Sequence, residues 1–262
     1  MRIGLFLKKE KVSDSLEKEL ISKIISFGHE INNENPEIVF SIGGDGTFLK
    51  SVQRYIDILD KVKFICINKG NLGYFSDFGE NDFDYVLSKL NSDELVTNSY
   101  RLVSARINEE KIFAINEIRI ENPFHTFLSE VYVNDTYLET FRGNGLSIST
   151  NLGSTAYNKS LGGAVIDSDL EVLQLSEIAP INNCLFSSLK SPLVIASDKN
   201  ITLKGDFKKI YFGYDHLVVE KENISEVNIS LSDKKVHILN KVDRNFIKRI
   251  NECFVERREK CF

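Results

Sequence analysis

Apolar runs and segments with helical spacing alternate over the first 95 residues. Continuous apolar runs predict buried strands, and they lie at 2–7, 37–42 and 62–67. Each run is followed by a segment whose apolar positions recur at helical spacing, at 13–27, 48–58 and 82–90. Gly28 marks the end of the first helix. This alternation predicts an N-terminal α/β domain with a parallel, doubly wound sheet.

The pattern changes near residue 95. From there to about residue 238 apolar and polar positions mostly alternate, as at 102–107, 112–121, 128–133 and 236–239. Within 131–138, Asn134 and Asp135 predict a hairpin turn. Only 153–161 has helical spacing in this half. The pattern therefore predicts a mainly antiparallel, all-β C-terminal domain.

Helical spacing returns at 243–256, where Phe246, Ile250 and Phe254 share one face. We expect this C-terminal helix to pack back on the first domain. The predicted organisation is an α/β domain at 1–95, a β-sandwich-like domain at 96–240 and a C-terminal helical segment at 241–262.

Composition and charge exclude several classes of protein. The chain has 262 residues, of which 42% are hydrophobic and 27% charged, so it is neither disordered nor collagen-like. Its 33 Lys and Arg against 38 Asp and Glu leave a formal charge of −5, which argues against a nucleic-acid binder. Any phosphate-rich ligand must be held by local groups such as backbone N–H, a few cations or a metal.

Hydropathy and cysteine spacing bear on the compartment. No apolar stretch approaches 18 residues, and the N-terminal apolar run is too short for a signal peptide, so we expect no membrane association. The four cysteines form no C-x-x-C pair and no zinc spacing. This usage is typical of a reducing compartment, and we expect a cytoplasmic protein.

The segment Gly-Gly-Asp-Gly-Thr at 43–47 lies where the second strand ends and a helix begins. Ligands of open α/β sheets bind at the carboxyl ends of the strands. Glycines allow the backbone to approach a phosphate, and the helix N-terminus favours an anion. Since Asp45 would repel a phosphate, its presence indicates a general base or a magnesium contact. The alternative is a tight turn with Asp45 as N-cap.

A second loop, at 68–75, follows the third strand and should lie beside the first at the same sheet edge. Gly70 and Gly73 allow close backbone approach, and Tyr74 is available to pack on a base or a ribose. The alternative is an ordinary glycine loop with a core aromatic. The chain contains neither a P-loop motif nor Gly-x-Gly-x-x-Gly.

Polar groups interrupt the β half at three places. Asn116 and Glu117 break an apolar strand, and an amide beside a carboxylate suits ribose hydroxyls or adenine edges; the alternative is a strand end near solvent. Ser154 and Thr155 begin the helical segment, where they either engage a dinucleotide or serve as N-caps. Asp215 ends a strand, either as a ligand contact or as an exposed turn residue.

In their order and spacing, these segments resemble the NAD kinase family. The matching segments are 43–47, 68–75, 116–117, 143–146, 153–157, 192–194 and 215–216, and the resemblance covers roughly residues 1–240. The first segment alone also resembles diacylglycerol kinases, sphingosine kinases and phosphofructokinases. The Asn-Glu pair followed by Gly-Ser-Thr-Ala-Tyr is more specific. The resemblance implies transfer of the γ-phosphoryl group of ATP to the 2′-hydroxyl of the adenosine ribose of NAD, giving NADP.

The resemblance also implies roles for single residues. Asp45 would be the general base or would orient the hydroxyl, with ATP phosphates at Gly43, Gly44, Gly46 and Thr47 and Mg²⁺ held mainly by those phosphates. The implied NAD-binding positions are Asp45, Gly46, Tyr74, Asn116, Glu117, Arg142, Asn144, Ser154, Thr155, Ala156, Tyr157, Ser160 and Asp215. Family members assemble as homodimers or homotetramers through the β domain, which would let Asp215 come from a neighbouring subunit.

Three positions depart from the family pattern. Asn144 stands where Asp is usual, and Asn151 and Leu152 replace a Pro and a hydroxyl residue. These changes bear on the nicotinamide end and leave the Asp45 loop intact. Two other functions stay open: a diacylglycerol-type lipid kinase with the same phosphate loop, and a non-catalytic NAD-binding sensor.

Overall fold

The computed structural model describes residues 1–8, 13–70, 73–184, 187–243 and 245–256. Residues 71–72 of the predicted loop at 68–75 and residues 257–262 of the predicted C-terminal segment lie outside the described residues. The chain divides into two compact units, one formed by Met1–Tyr100 with Lys235–Phe262 and the other by Arg101–Lys234.

A parallel sheet forms the centre of the first unit. Its strands are β1 (Arg2–Leu7), β2 (Glu30–Ile31), β3 (Ile38–Gly43), β4 (Lys63–Asn68) and β5 (Phe78–Gly79), and its helices are α1 (Asp14–Ser26), α2 (Asp45–Arg54) and α3 (Phe83–Lys89). The strand order is β2-β1-β3-β4, and β4 also pairs with β5 and with residues 237–238. Every one of these pairs is parallel, which confirms the predicted α/β sheet.

Helix α1 buries apolar positions from which the sequence pattern predicted it. Leu20 and Ile24 face the core and are buried. The Oγ of Ser13 accepts the N–H of Leu16 at 3.3 Å and caps the first turn. Gly28 adopts a φ of +80°, a left-handed conformation that ends helices at low steric cost. The predicted stop at Gly28 is therefore confirmed.

The predicted helix at 48–58 was placed too late along the chain. Helix α2 begins at Asp45 and ends at Arg54, and a separate 3₁₀ segment, Ile56–Lys61, follows it. The apolar spacing begins only at Phe48, so it missed a first turn that contains Gly46. The carboxylate of Asp45 consequently lies in the first turn of the helix.

Antiparallel strands dominate the second unit, and the first and last of them extend into residues that belong to the first unit. In chain order they are β6 (Leu95–Ile107), β7 (Glu110–Ala114), β8 (Glu117–Glu121), β9 (Phe127–Val133), β10 (Thr136–Gly143), β11 (Gly145–Thr150), β12 (Val172–Ile178), β13 (Leu193–Ala196), β14 (Asn200–Tyr214) and β15 (Leu217–Lys241), with the short helix α4 (Tyr157–Ser160) after β11. Their order includes the run β13-β12-β11-β8-β14-β15, in which every pair is antiparallel. The mainly antiparallel β domain is confirmed.

Two local predictions in this unit had different outcomes. Asn134 and Asp135 have φ of +45° and +63°, as a two-residue hairpin turn between β9 and β10 requires, so that prediction is confirmed. A single strand at 112–121 was wrong, because the chain breaks into β7 and β8 at Ile115 and Asn116.

The C-terminal segment is helical, as its spacing predicts. Helix α5 (Phe246–Ile250) is followed by one π-helical turn, Asn251–Val255. The side chain of Asn245 caps α5 by accepting the N–H of Lys248 at 3.0 Å. Across the described ranges, no helix has both the length and the apolar character needed to cross a membrane.

Candidate active site

The loop at 43–47 connects β3 directly to α2. β3 ends at Gly43 and α2 begins at Asp45, with Gly44 as the N-cap residue. Thr47 is buried, at 6% exposure, whereas a Cβ added at Gly44 or Gly46 would meet no atom of the described residues within 4 Å. Packing among the described residues therefore does not require glycine at 44 and 46, and they leave this side of the helix start open to a ligand.

The carboxylate of Asp45 is held by the second predicted loop. Its Oδ2 accepts the backbone N–H of Tyr74 at 2.9 Å, and its Oδ1 accepts that of Phe75 at 3.2 Å. This geometry is possible because β3 and β4 are neighbours, with Gly43 paired with Asn68. The two loops that the sequence placed at one sheet edge do meet there. Asp45 does not act as an N-cap, since the cap residue is Gly44.

Gly73 has a role that the sequence did not identify. A Cβ at this position would lie 2.3 Å from Oδ1 of Asp45, closer than real side chains approach. The close approach predicted for this glycine is thus to the carboxylate of Asp45. The ring of Tyr74 is 7% exposed and packs edge-on against Phe75, with ring centroids 5.6 Å apart.

The break between β7 and β8 in the second unit positions Asn116 and Glu117. Asp215, in the turn between β14 and β15, accepts the N–H groups of Ile115 at 3.0 Å and Asn116 at 2.8 Å. Asn116 and Glu117 are both buried, at 8% and 4% exposure, so they are not a strand end near solvent. Asp215 is 9% exposed, so it is not an exposed turn residue either.

Glu117 is an unusual carboxyl group. Burial raises its pKa to about 7, the nearby Asp215 carboxylate adds to the rise, and the Arg119 guanidinium opposes it. Its Oε2 and the Oδ1 of Asn116 are buried without a hydrogen-bond partner among the described residues. Buried polar atoms normally have partners, so these two are suited to a polar ligand.

Sequence reasoning missed Arg119, which lies on the same strand. Its guanidinium stacks over the ring of Tyr157 at 4.9 Å and lies 4.0 Å from Glu117 and 3.8 Å from Glu121. Three charged residues at alternate positions of β8 must share one face of the sheet. That alternation was visible in the sequence and was the available signal for a charged face.

The segment at 152–160 packs closely on this break. A Cβ at Gly153 would lie 1.9 Å from the carbonyl oxygen of Asn116, and Oγ1 of Thr150 donates to the carbonyl of Ile115 at 2.6 Å. The hydroxyl of Ser154 is buried, donates to the carbonyl of Asn151 and accepts the N–H of Ile166.

Other predicted residues of this segment and its neighbourhood are more accessible. Thr155 and Ala156 are half-buried, and Ser160 is exposed. Ser154 and Thr155 are not N-caps, because the helix start at α4 has no side-chain cap. Arg142 lies near the end of β10 and is half-buried. Asn144 is exposed and lies between β10 and β11, where its N–H donates to the carbonyl of Ile178 at 2.9 Å.

The structure thus groups the predicted residues within each unit. In the first unit it joins Asp45 to the loop that contains Tyr74; in the second it joins Asn116, Glu117 and Asp215. No cluster of three or more His, Cys, Asp or Glu side chains suited to a metal ion occurs among the described residues. A single carboxylate such as Asp45 is an incomplete donor set for Mg²⁺, an ion that proteins usually bind through one or two carboxylates together with substrate phosphates and water.

Comparison with known proteins agrees with these features. The ATP-NAD kinase C-terminal domain family matches residues 115–241. The fold is similar to the crystal structure of an NAD kinase from Archaeoglobus fulgidus in complex with ATP (TM-score 0.77, 22% identity, 96% of this chain and 99% of that one). It is also similar to yeast NADH kinase complexed with NADH (TM-score 0.84, 17% identity, 99% of this chain and 89% of that one).

Sequence relatives share nearly the whole chain. The chain is 34% identical over 260 residues to the NAD kinase of Leuconostoc mesenteroides, covering 97% of this chain and 98% of the relative. It is 34% identical over 262 residues to the NAD kinase of Enterococcus faecalis, covering 97% and 99%. The NAD kinase 1 of Listeria innocua is 34% identical over 263 residues, covering 98% and 100%. Identity at this level over almost the full length shows that the chain belongs to the NAD kinase family.

Proposed function

We propose that Asp45 orients and deprotonates the 2′-hydroxyl of the adenosine ribose of NAD while that oxygen attacks the γ-phosphorus of ATP. Family membership makes the chain a phosphotransferase that converts NAD to NADP with ATP. In the step, a bond forms between the ribose oxygen and the γ-phosphorus, and the bond from that phosphorus to the β–γ bridging oxygen breaks. The proton passes to the Asp45 carboxylate, and ADP leaves.

The observation that carries this proposal is how the Asp45 carboxylate is held. Each of its two oxygens accepts one backbone N–H, from Tyr74 or Phe75. A carboxylate oxygen has a second lone pair, so either oxygen retains the capacity to accept a hydroxyl proton. Phosphoryl transfer depends mainly on positioning and charge neutralisation, and a carboxylate fixed at two points supplies the positioning.

The open start of α2 is the proposed site of the ATP phosphates. Gly44 and Gly46 leave space there, and the first N–H groups of a helix lack intrahelical partners, so they suit phosphate oxygens. We propose that Gly43 and Thr47 support the backbone of the same loop. ATP enters as its Mg²⁺ complex, and Mg²⁺ neutralises charge on the phosphates.

The second unit supplies the proposed NAD contacts. The orphaned polar atoms of Asn116 and Glu117 suit ribose hydroxyls and adenine edges. Because burial raises the pKa of Glu117 to about 7, its carboxyl can donate as well as accept a hydrogen bond. Exposed or half-buried residues contribute direct contacts in this proposal, namely Arg142, Asn144, Thr155, Ala156, Tyr157 and Ser160.

Three proposed NAD-binding residues act chiefly by positioning. The hydroxyl of Ser154 and the carboxylate of Asp215 are already bonded to backbone groups, and the ring of Tyr74 is buried. We propose that these three residues stabilise the loops that surround the substrate. The proposal also includes a homodimeric or homotetrameric assembly and a cytoplasmic location, both of which rest on the family resemblance and the cysteine pattern.

A coupled assay tests the proposed reaction. The protein is incubated with Mg-ATP and NAD, and an NADP-specific dehydrogenase reports the product. Appearance of NADP in proportion to enzyme supports the proposal. Phosphorylation of diacylglycerol without NADP formation would favour the lipid-kinase alternative, and binding of NAD with no product at all would favour the non-catalytic sensor.

A further inference from the structure

A buried ion pair joins helix α5 to the segment that follows the loop at 68–75. Arg249, on α5, donates through Nη2 to Oδ1 of Asp77, and their side chains are 9% and 4% exposed. Oδ2 of Asp77 also accepts the backbone N–H of Lys241 at 3.2 Å. All three residues belong to the first unit. This buried pair lies outside the groups assigned to either substrate.

Asp77 lies two residues beyond Phe75 and three beyond Tyr74, whose N–H groups hold the Asp45 carboxylate. The residue between, Ser76, places its Oγ 2.9 Å from the carbonyl oxygen of Cys66 and 2.8 Å from that of Phe78. Cys66 is in β4 and Phe78 in β5. The segment 74–78 is thus fixed at Asp45, at the sheet and at Arg249 within five residues.

Removal of the guanidinium would take from the buried Asp77 carboxylate the charge partner that Arg249 supplies. Removing one member of a buried ion pair is strongly destabilising, because the charge that remains is shielded from water. The carboxylate must then move toward water, and it takes the adjacent backbone with it. The nearest backbone groups with a function are the N–H donors of Phe75 and Tyr74.

We propose that Arg249 is a positioning residue for Asp45, acting through Asp77 on the backbone that orients the catalytic carboxylate. The inference rests on the proposed role of Asp45. The C-terminal helix therefore contributes to turnover, although it is far from Asp45 in the sequence. A second carboxylate is also close, with Oε2 of Glu252 lying 3.8 Å from Nη1 of Arg249.

Two variants and a matched control test the proposal. Arg249→Met removes the charge and keeps most of the side-chain volume, whereas Arg249→Lys keeps the charge. Lys248→Ala changes the neighbouring residue on the same helix, whose side chain is 72% exposed. For Arg249→Met we expect kcat to fall by up to about 10²-fold, with KM for NAD and ATP within about threefold of wild type. We expect Arg249→Lys to recover part of kcat and Lys248→Ala to match wild type.

Hydrogen exchange supplies a readout that a general loss of stability would not reproduce. We expect the amides of Tyr74 and Phe75 to lose protection in Arg249→Met while amides of β1 and β3 keep theirs. Adding Asp77→Asn to Arg249→Met removes the buried negative charge that Arg249 pairs with and retains an acceptor for Lys241, so kcat should recover relative to the single variant. An unchanged kcat, unchanged protection at Tyr74 and Phe75, or equal loss of protection across the sheet would overturn the inference.

The same measurements separate this inference from the proposed function. If Asp45→Asn keeps wild-type turnover, the assigned role of Asp45 is wrong, and the catalytic part of the inference is overturned with it. If Asp45→Asn abolishes turnover while Arg249→Met behaves as wild type, the role of Asp45 stands and only the inference about Arg249 is overturned.

Discussion

Oδ1 of Asp215 accepts the backbone N–H of Asn116 at 2.8 Å, although the two residues are 99 positions apart in sequence. The other oxygen of the same carboxylate accepts the N–H of Ile115 at 3.0 Å. Together these bonds fix the break between β7 and β8. The break places the carboxyl group of Glu117 in a buried position. The proposed NAD contacts therefore depend on Asp215, a residue of the distant β14–β15 turn.

Asp215→Ala should therefore weaken both folding and NAD binding. Two buried N–H groups lose a charged acceptor, which costs on the order of 1–3 kcal/mol for each unsatisfied group. Alanine also suits the left-handed conformation poorly, because Asp215 has a φ of +49°. We expect a lower urea midpoint and a KM for NAD raised by about tenfold or more, equal to about 1.4 kcal/mol. Asp215→Asn keeps one acceptor and should be milder; equal effects of the two variants would contradict this account.

The raised pKa of Glu117 predicts a pH-dependent stability. Because the folded state holds this proton more tightly than the unfolded chain, stability is greatest below the unfolded pKa of 4.5 and falls as pH rises to about 7. The loss is at most roughly 3 kcal/mol and levels off above pH 7. Glu117→Gln should flatten this part of the stability curve and be more stable than wild type at pH 8.

Urea unfolding between pH 4.5 and 8 measures the effect of Glu117. Glu109→Gln, at an exposed position between β6 and β7, is the matched control and should keep the wild-type slope. A Glu117→Gln curve with the wild-type slope would mean that Glu117 is ionised in the folded protein. The pH dependence would then have to come from other groups.

Asp45→Asn should reduce kcat by about 10²–10⁴-fold, because the amide accepts no proton from the ribose hydroxyl. Both carboxylate oxygens of Asp45 accept backbone N–H groups, so an asparagine must also turn its NH₂ toward one of them and lose that bond. Binding of NAD, measured by calorimetry, should remain close to wild type. Asp57→Asn, exposed beyond the end of α2, is the control. Loss of NAD binding equal to the loss of turnover would assign Asp45 a purely structural role.

The sequence predicted the place of the Asp45 loop between a strand and a helix because the determinants of that place are local, although the helix begins at Asp45 and not at Phe48. An apolar run ends at Ile42, glycines follow, and helical spacing begins at Phe48. The break at Asn116 was not predictable in this way. Its cause is the carboxylate of Asp215, and no periodicity reports a hydrogen bond over 99 positions.

The same limit applies to other features of the candidate site. The pairing of Asp77 with Arg249 joins residues 172 positions apart, so neither residue stood out in the sequence. Tyr74 was predicted to contact a ligand, but its ring is 7% exposed, and the backbone N–H of this residue makes the contact with Asp45. A sequence motif identifies the residue and leaves open which of its atoms acts.

Gly73→Ala tests the close approach to Asp45 directly. The added methyl group would lie 2.3 Å from Oδ1 of Asp45, so the carboxylate must move or the bond from Phe75 must break. A misplacement of about 1 Å can cost up to about 10²-fold in rate, and we expect a loss of kcat of that order. Gly79→Ala is the control, because its nearest neighbour would be 3.8 Å away. Similar turnover in the two variants would show that the position of Asp45 tolerates the displacement.

Gly46→Ala should separate stability from activity. A Cβ at this position meets no atom within 4 Å in the part of the chain that the structure describes, and alanine is favoured over glycine within a helix by about 0.5–1 kcal/mol, so the unfolding free energy should rise. The same methyl group occupies the open start of α2, where we place the ATP phosphates, so KM for ATP should increase. Lys50→Ala, at an exposed position of α2, controls for helix propensity and should leave KM for ATP unchanged. Glycine at position 46 therefore lowers the stability of the helix. It is needed because the backbone at this position must remain accessible to a phosphate. A more stable Gly46→Ala variant with wild-type KM for ATP would show that no phosphate approaches the helix at this point.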